Sequence, residues 1–265
     1  MTIQKKNIDK QHIIYHQPVK TKCGAQSDVS DDYILLSGSL FNSEYLLNRH
    51  KVYRQALGRG PTYFFKHEQK DYVLKHYWRG GLVGKLNADF YFWNPFNSLR
   101  LKLQQTRAYQ EFTLLTSLAE LRLPAPAPIA ARVSRSLLGY RADIITETLV
   151  NTQSLVQSLT VAIGDKTWFD IGVTIALFHQ HNIYHDDLNA NNILINSDNK
   201  IFIIDFDKGK ICSDIRTNSA PWKTQNLQRL LRSLIKEKSK NNCLSFNDED
   251  WQKLLKGYQK NANRI

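Results

Sequence analysis

Residues 183–207 read Ile-Tyr-His-Asp-Asp-Leu-Asn-Ala-Asn-Asn-Ile-Leu-Ile-Asn-Ser-Asp-Asn-Lys-Ile-Phe-Ile-Ile-Asp-Phe-Asp, and they constrain the fold more than any other stretch. Two β-prone runs, 193–195 and 201–204, flank the turn formers Asn196, Ser197, Asp198 and Asn199, which predicts a tight hairpin. A loop dense in His, Asp and Asn precedes the hairpin. The triplet Asp205-Phe206-Asp207 stands directly behind its second run. Carboxylates and amides at strand ends can hold hard cations and accept hydroxyl protons.

The remaining chain supplies a frame for that stretch. Residues 1–30 are polar and without clear periodicity, so a loosely held tail is expected. Residues 32–39 read as a short strand, and 42–57 as a helix capped by Asn42 or Ser43 and stopped by Gly58-Arg59-Gly60-Pro61. Strands follow at 62–66 and 72–77, then a helix at 106–123 with Ala108, Phe112, Leu115 and Leu118 at helical spacing. A Pro-rich connection leads to a hairpin, 130–134 with 140–147, and residues 146–153 form a candidate hinge. Beyond it lie a helix at 168–181 and two amphipathic helices, one striped by Leu227, Leu230, Leu231, Leu234 and Ile235, the other by Trp251, Leu254, Leu255 and Tyr258. Nothing repeats at solenoid periods.

With 265 residues and 42% hydrophobic content the chain can bury one large core or two small ones. Its three cysteines, Cys23, Cys212 and Cys243, form no Cys-x-x-Cys pair, which suggests a reducing compartment rather than a disulfide framework. The first residues lack the apolar core of a signal peptide, and no apolar run reaches the ~20 residues of a spanning helix. The formal charge of +12 favours polyanionic partners. Residues 77–105 mix Arg79, Lys85, Arg100 and Lys102 with Phe90, Tyr91, Phe92, Trp93 and Phe96. That mixture suits an anionic membrane surface, or equally a buried aromatic cluster with solvated charges.

His185, Asp187 and Asn192 have the spacing of the His-x-Asp-Leu-x-x-x-Asn loop of kinases, and Asp205-Phe206-Asp207 stands where a metal-binding Asp-Phe-Gly belongs. Phosphoryl transfer needs a hydroxyl held in line and cations on the phosphates. Asp187 is the expected base, with Asn192 and Asp205 as oxygen ligands for Mg²⁺. Lys75, a lysine in a β-prone apolar run, is expected to hold the ATP phosphates and to be fixed by Glu111; the competing reading is a snorkelling edge lysine. Gly58 and Gly60 offer a reduced phosphate-covering loop or simply a helix-stopping turn. Glu147, at the hinge, is an expected nucleotide contact. The spacing of His179, His181 and His185 places the first two on different sides of a helix, against a zinc site, and His185 reads as structural.

Gly58-Arg59-Gly60, the run 77–83 (Tyr-Trp-Arg-Gly-Gly-Leu-Val), Arg107-Ala108-Tyr109-Gln110-Glu111-Phe112, Leu123-Pro124-Ala125-Pro126, the run 187–194 (Asp-Leu-Asn-Ala-Asn-Asn-Ile-Leu) and Ile204-Asp205-Phe206-Asp207 together resemble the 3-deoxy-D-manno-octulosonic acid (Kdo) kinases, within the lipopolysaccharide kinases of Gram-negative bacteria. The resemblance runs from about residue 30 to 235. It implies an α+β, protein-kinase-like two-lobed fold, with an antiparallel-sheet N-lobe at 31–147 and a reduced, mainly helical C-lobe at 148–265. It implies transfer of the ATP γ-phosphate, with Mg²⁺, to the 4-hydroxyl of Kdo on a lipid A precursor. The expected location is the cytoplasmic face of the inner membrane, peripherally bound to its anionic surface. Arg79 is expected to grip the acceptor's acidic groups.

Departures from protein kinases sharpen the expectation. Position 186 is Asp instead of Arg, 189 is Asn instead of the catalytic-loop Lys, and 207 is Asp instead of Gly; no Ala-Pro-Glu follows. The short stretch after Pro221 is expected to lack a peptide-docking half. These features weigh toward a small or lipid-linked hydroxyl. Another small-molecule or protein kinase, or a catalytically inactive kinase-fold membrane adaptor, are the alternatives. No nucleic-acid module is recognisable, and neither nucleic acid nor a protein partner is expected.

Overall fold

The alternation of β-branched and aromatic residues near both termini of the first half builds one antiparallel sheet, and the later Leu, Ile and Trp stripes build helices. The computed structural model describes residues 3–8, 11–16, 38–57, 61–67, 69–77, 91–92, 103–135, 139–212 and 220–262. These fall into two units, one of residues 1–116 and 127–148, the other of 117–126 and 149–265.

In the first unit the strands are β1 (Ile3–Ile8), β2 (Gln11–His16), β3 (Val52–Leu57), β4 (Pro61–His67), β5 (Lys70–His76), β6 (Tyr91–Phe92), β7 (Pro128–Arg135) and β8 (Gly139–Glu147). Their order is β1-β2-β7-β8-β5-β4-β3, with β6 paired to β8 off that path. Helix α1 (Ser43–Asn48) and the 3-10 turn Ser39–Phe41 bring Leu40, Phe41 and Leu46 into a core with Ile13, Phe65, Leu74, Ala130 and Ile145. Side chains alternate across a strand, so Lys75 and its cross-strand partner Ile144 point to the face opposite Leu74 and Ile145. Helix α2 (Arg107–Glu120) serves that second face: its Phe112 ring stacks on His16 of β2 at 4.9 Å, and its Glu111 reaches Lys75.

Two expectations fail in this unit. Residues 3–8 and 11–16, read as part of a tail, form β1 and β2, and β2 joins the sheet at β7 in the register Ile13↔Arg132 and Ile14↔Ala131. Burial of Ile13 and Ile14 supplies the reason, since two adjacent buried side chains satisfy both faces of a covered strand. The helix expected over 42–57 stops at Asn48. Asn42 caps it, accepting hydrogen bonds from Glu44 N and Tyr45 N, but His50 turns left-handed at φ 52° and the β-prone Val52 and Tyr53 continue as a strand. The strand expected over 32–39 lies almost wholly outside the described residues. So does most of the basic and aromatic segment 77–105.

The second unit contains β9 (Thr152–Ser154), α3 (Leu155–Ser158), α4 (Asp165–Gln180), β10 (Ile183–Tyr184), β11 (Ile193–Asn196), β12 (Ile201–Ile203), β13 (Lys210–Ile211), α5 (Pro221–Lys240) and α6 (Asp248–Ala262). The predicted hairpin is β11–β12, in the register Ile193↔Ile203, with β9 on its other edge. Trp168, Ile171, Ile175 and Phe178 of α4 are buried, and Gly172 of α4 and Gly257 of α6 let these two helices approach backbone to backbone. A β-carbon on either glycine would overlap a carbonyl oxygen of the other helix, Leu254 or Phe169.

Candidate active site

Between β10 and β11 the chain runs without regular hydrogen bonding, so its polar side chains must satisfy its backbone. Asn189 does most of this. Its Oδ1 accepts from the N–H of Asn191 (2.8 Å) and of Asn192 (3.2 Å), while its Nδ2 donates to the Asp187 carbonyl (3.1 Å). Asn192 Nδ2 donates to the same carbonyl at 2.9 Å. Both amides thereby fix the peptide unit that follows the Asp187 side chain. Asn189 is fully committed to the loop.

His185 is buried beneath that loop, its ring tilted against that of Phe206 at 4.8 Å. Its Nε2 lies 2.9 Å from the Ile204 carbonyl, which can only accept, and its Nδ1 lies 3.1 Å from the N–H of Asp187, which can only donate. These partners assign a neutral imidazole with the proton on Nε2. The ring therefore ties the loop to the residue that follows β12, and both its nitrogens are taken up in doing so.

Helix α5 reads the loop along one face. Trp222 meets the Tyr184 ring edge-on. Asn226 Nδ2 donates to the His185 carbonyl (2.8 Å), and its Oδ1 accepts from the His185 N–H (3.3 Å). Arg229 Nη1 donates to Asp187 Oδ1 at 2.8 Å, and Ser233 Oγ accepts from the Ala190 N–H at 3.1 Å. Positions 222, 226, 229 and 233 recur at three- and four-residue spacing, one side of a helix. Sequence reasoning placed the leucine stripe of α5 correctly in type but missed this polar line. The available signal was Asn226, four residues before Leu230 and eight before Leu234, on the buried line itself.

Asn226 also lies 3.3 Å from Nε2 of His179, whose Nδ1 is 2.9 Å from the Tyr258 hydroxyl. Burial pushes the His179 imidazole from 6.5 down to about 3; Lys223 and His185 add to the shift and the hydrogen bond to Asn226 opposes it. Burial likewise pushes the Tyr258 phenol up to about 12. The Tyr184 phenol is raised by burial and by the adjacent Asp186 carboxylate. Both nitrogens of His179 and of His185 thus serve hydrogen bonds.

The hairpin brings Asn192 next to the acidic triplet, because the Ile204 N–H donates to the Asn192 carbonyl at 2.9 Å. Asn192 uses its amide nitrogen on the loop, which turns its oxygen the other way. Asp205 follows with φ 64°, a left-handed conformation uncommon for a residue with a side chain and often retained at functional sites.

In the sheet unit, Lys75 Nζ lies 3.2 and 3.4 Å from the two Glu111 oxygens, and the Tyr77 hydroxyl donates to the same carboxylate. Glu111 is only 5% exposed and Lys75 26%, and β5 lies between β8 and β4, so Lys75 is a paired lysine inside the sheet and not a snorkelling edge lysine. Glu147 closes β8, with its N–H on the Ala127 carbonyl (2.9 Å) and its carboxylate 4.0 Å from Lys70. Gly58, Gly60 and Arg79 lie outside the described residues.

The lipopolysaccharide kinase (Kdo/WaaP) family matches residues 43–258 of the chain. The chain belongs to this family. Its curated relatives include proteins named 3-deoxy-D-manno-octulosonic acid kinase. The one from Photobacterium damsela subsp. piscicida is 38% identical over 226 residues, covering 84% of this chain and 89% of the relative. One from Haemophilus influenzae is 41% identical over 228 residues (82% and 89%), and one from Actinobacillus succinogenes is 40% identical over 228 residues (83% and 89%). The antiparallel sheet and the helical unit accord with the α+β, kinase-like architecture of the lipopolysaccharide kinases. A kinase of this family uses ATP as phosphoryl donor.

Proposed function

We propose that this lipopolysaccharide kinase phosphorylates the 4-hydroxyl of Kdo on a Kdo-lipid A precursor, in lipopolysaccharide inner-core biosynthesis. The observation that carries this reading is the naming of curated relatives, about 40% identical over most of both chains, as Kdo kinases. It is supported by a loop in which the amides of Asn189 and Asn192 both hold the Asp187 backbone carbonyl while the Asp187 carboxylate stands partly exposed.

In the reaction the Kdo hydroxyl oxygen attacks the γ-phosphorus of ATP and a new P–O bond forms. The bond to the β–γ bridging oxygen breaks, ADP leaves with that electron pair, and the hydroxyl proton passes to the Asp187 carboxylate. Lys75, fixed by Glu111, holds the nucleotide phosphates. Glu147, Gly58 and Gly60 are assigned to the nucleotide by chain position alone, and Arg79 to the acceptor by position and charge. The Asn192 amide oxygen and the Asp205 carboxylate fit Mg²⁺, which typically takes one or two protein oxygens and fills its octahedron with phosphate and water. The ion, when bound, neutralises phosphate charge. Peripheral attachment to the cytoplasmic face of the inner membrane is the proposed location. No helix among the described residues is long and apolar enough to cross a membrane, and a net charge of +12 suits an anionic surface.

Replacing Asp187 by Ala tests the assignment: turnover should fall by about 10²–10⁴-fold, the usual contribution of a positioned base, while ATP still binds. Unchanged turnover would remove Asp187 from the role.

A further inference from the structure

The Arg229–Asp187 ion pair is poorly explained as a stabilising contact. The Arg229 side chain is 46% exposed and that of Asp187 34%, and exposed pairs of this kind contribute little to stability. Yet the pair sits on the proposed base, at 2.8 Å, from the helix face that holds the rest of the loop. A guanidinium placed there has a chemical consequence for whatever approaches the Asp187 carboxylate.

The loop offers no cation of its own at the position two residues after Asp187. Asn189 stands there, and both ends of its amide are spent on the loop backbone. Lys208 lies 4.0 Å from Asp186, the neighbouring carboxylate. Arg229 presents a planar fork of five N–H donors, of which the Asp187 oxygen occupies one nitrogen. The fork can therefore hold Asp187 and a second carboxylate together, the arrangement for which a rigid guanidinium is better suited than a point charge.

Given a sugar-acid acceptor, on which this inference rests, we propose that Arg229 is the acceptor-carboxylate anchor. Its guanidinium binds the carboxylate of the octulosonic acid while keeping Asp187 in place, so that the hydroxyl two ring carbons from the carboxylate-bearing carbon meets the base. The chemical class selected is a hydroxyl on a ring that also carries a carboxylate. Neutral sugars of the same size lack the second contact. Selection then comes from α5, a helix remote in sequence from the loop it serves.

The test compares two acceptors, the Kdo-lipid A precursor and the same compound with its sugar carboxylate converted to the carboxamide, in the wild-type protein, Arg229→Gln and Arg229→Lys. Wild type should prefer the acid in kcat/KM by about 10- to 100-fold, the usual worth of a charged hydrogen bond. In Arg229→Gln that preference should collapse toward equality, chiefly through a higher KM for the acid, and Arg229→Lys should keep part of it. The ratio is taken within one preparation, so partial unfolding of a variant cancels. If Arg229→Gln keeps the wild-type preference, or loses kcat equally on both acceptors, Arg229 only orders Asp187 and the anchor is disproved. If wild type phosphorylates neither acceptor, the sugar-acid reading itself fails and takes the anchor with it.

Discussion

A single buried amide, that of Asn226, meets the His185 peptide on both its N–H and its carbonyl and meets the His179 ring besides, and no aliphatic side chain can copy those bonds. His179 gives this network a measurable signature. Its ordinary value is 6.5 and its folded value about 3, so below pH 6.5 the unfolded chain takes up a proton that the folded chain refuses. Stability is therefore complete above about pH 6.5 and declines as pH falls toward about 3, by roughly 1.4 kcal/mol per pH unit for this one group. Melting temperatures of wild type and His179→Gln, followed from neutral pH downward, should converge as the pH drops, because the variant lacks this proton uptake. Parallel curves would show that His179 is not the group responsible. Neither His179 nor Asn226 could be assigned these roles from sequence, because the partners of the amide lie 41 and 47 residues away.

Among the elements, the pairing of α4 with α6 depends on two residues that no hydrophobic stripe reveals. Trp168, Ile171 and Ile175 announced α4 as a buried helix, and Leu254 announced α6, but the closeness of their contact comes from Gly172 and Gly257. Gly172→Ala forces a methyl group into the Leu254 carbonyl. Backbones must separate, at a cost of about 1–3 kcal/mol or more, and the melting temperature should fall by roughly 2–4 °C for each kcal/mol. Gly164→Ala is the control: a β-carbon there meets nothing within 4 Å, and as the N-cap of α4 the position should lose only about 0.5–1 kcal/mol, less than Gly172→Ala. Equal melting temperatures for the two variants would contradict the close approach. Among the elements the sequence reading missed, β1, β2 and β3 are short strands of six residues whose polar and apolar residues show little periodicity, and pairing in the sheet, β1 with β2 and β3 with β4, fixes them as strands.

At the scale of the whole molecule, the α+β, kinase-like architecture was legible in the sequence, and the candidate site residues were legible as a pattern. Asp187, Asn192 and Asp205 stand on a loop and hairpin contiguous in sequence, so spacing alone singles them out as candidates. Lys75 and Glu111 were suggested by chain order, and the structure brings them to 3.2 Å. Arg229 stayed hidden because it belongs to another helix, 42 residues from the carboxylate it touches, and its own neighbours read as an ordinary amphipathic stripe. Family membership states that this chain is a lipopolysaccharide kinase; the acceptor is what experiment must settle. The decisive measurement is mass spectrometry of a Kdo-lipid A precursor after incubation with the purified protein, ATP and Mg²⁺. The expected result is one added phosphate located on the Kdo unit, formed at least about 10²-fold more slowly when Asp187→Ala replaces wild type. An unmodified glycolipid, with phosphate instead on an added peptide, would contradict the account.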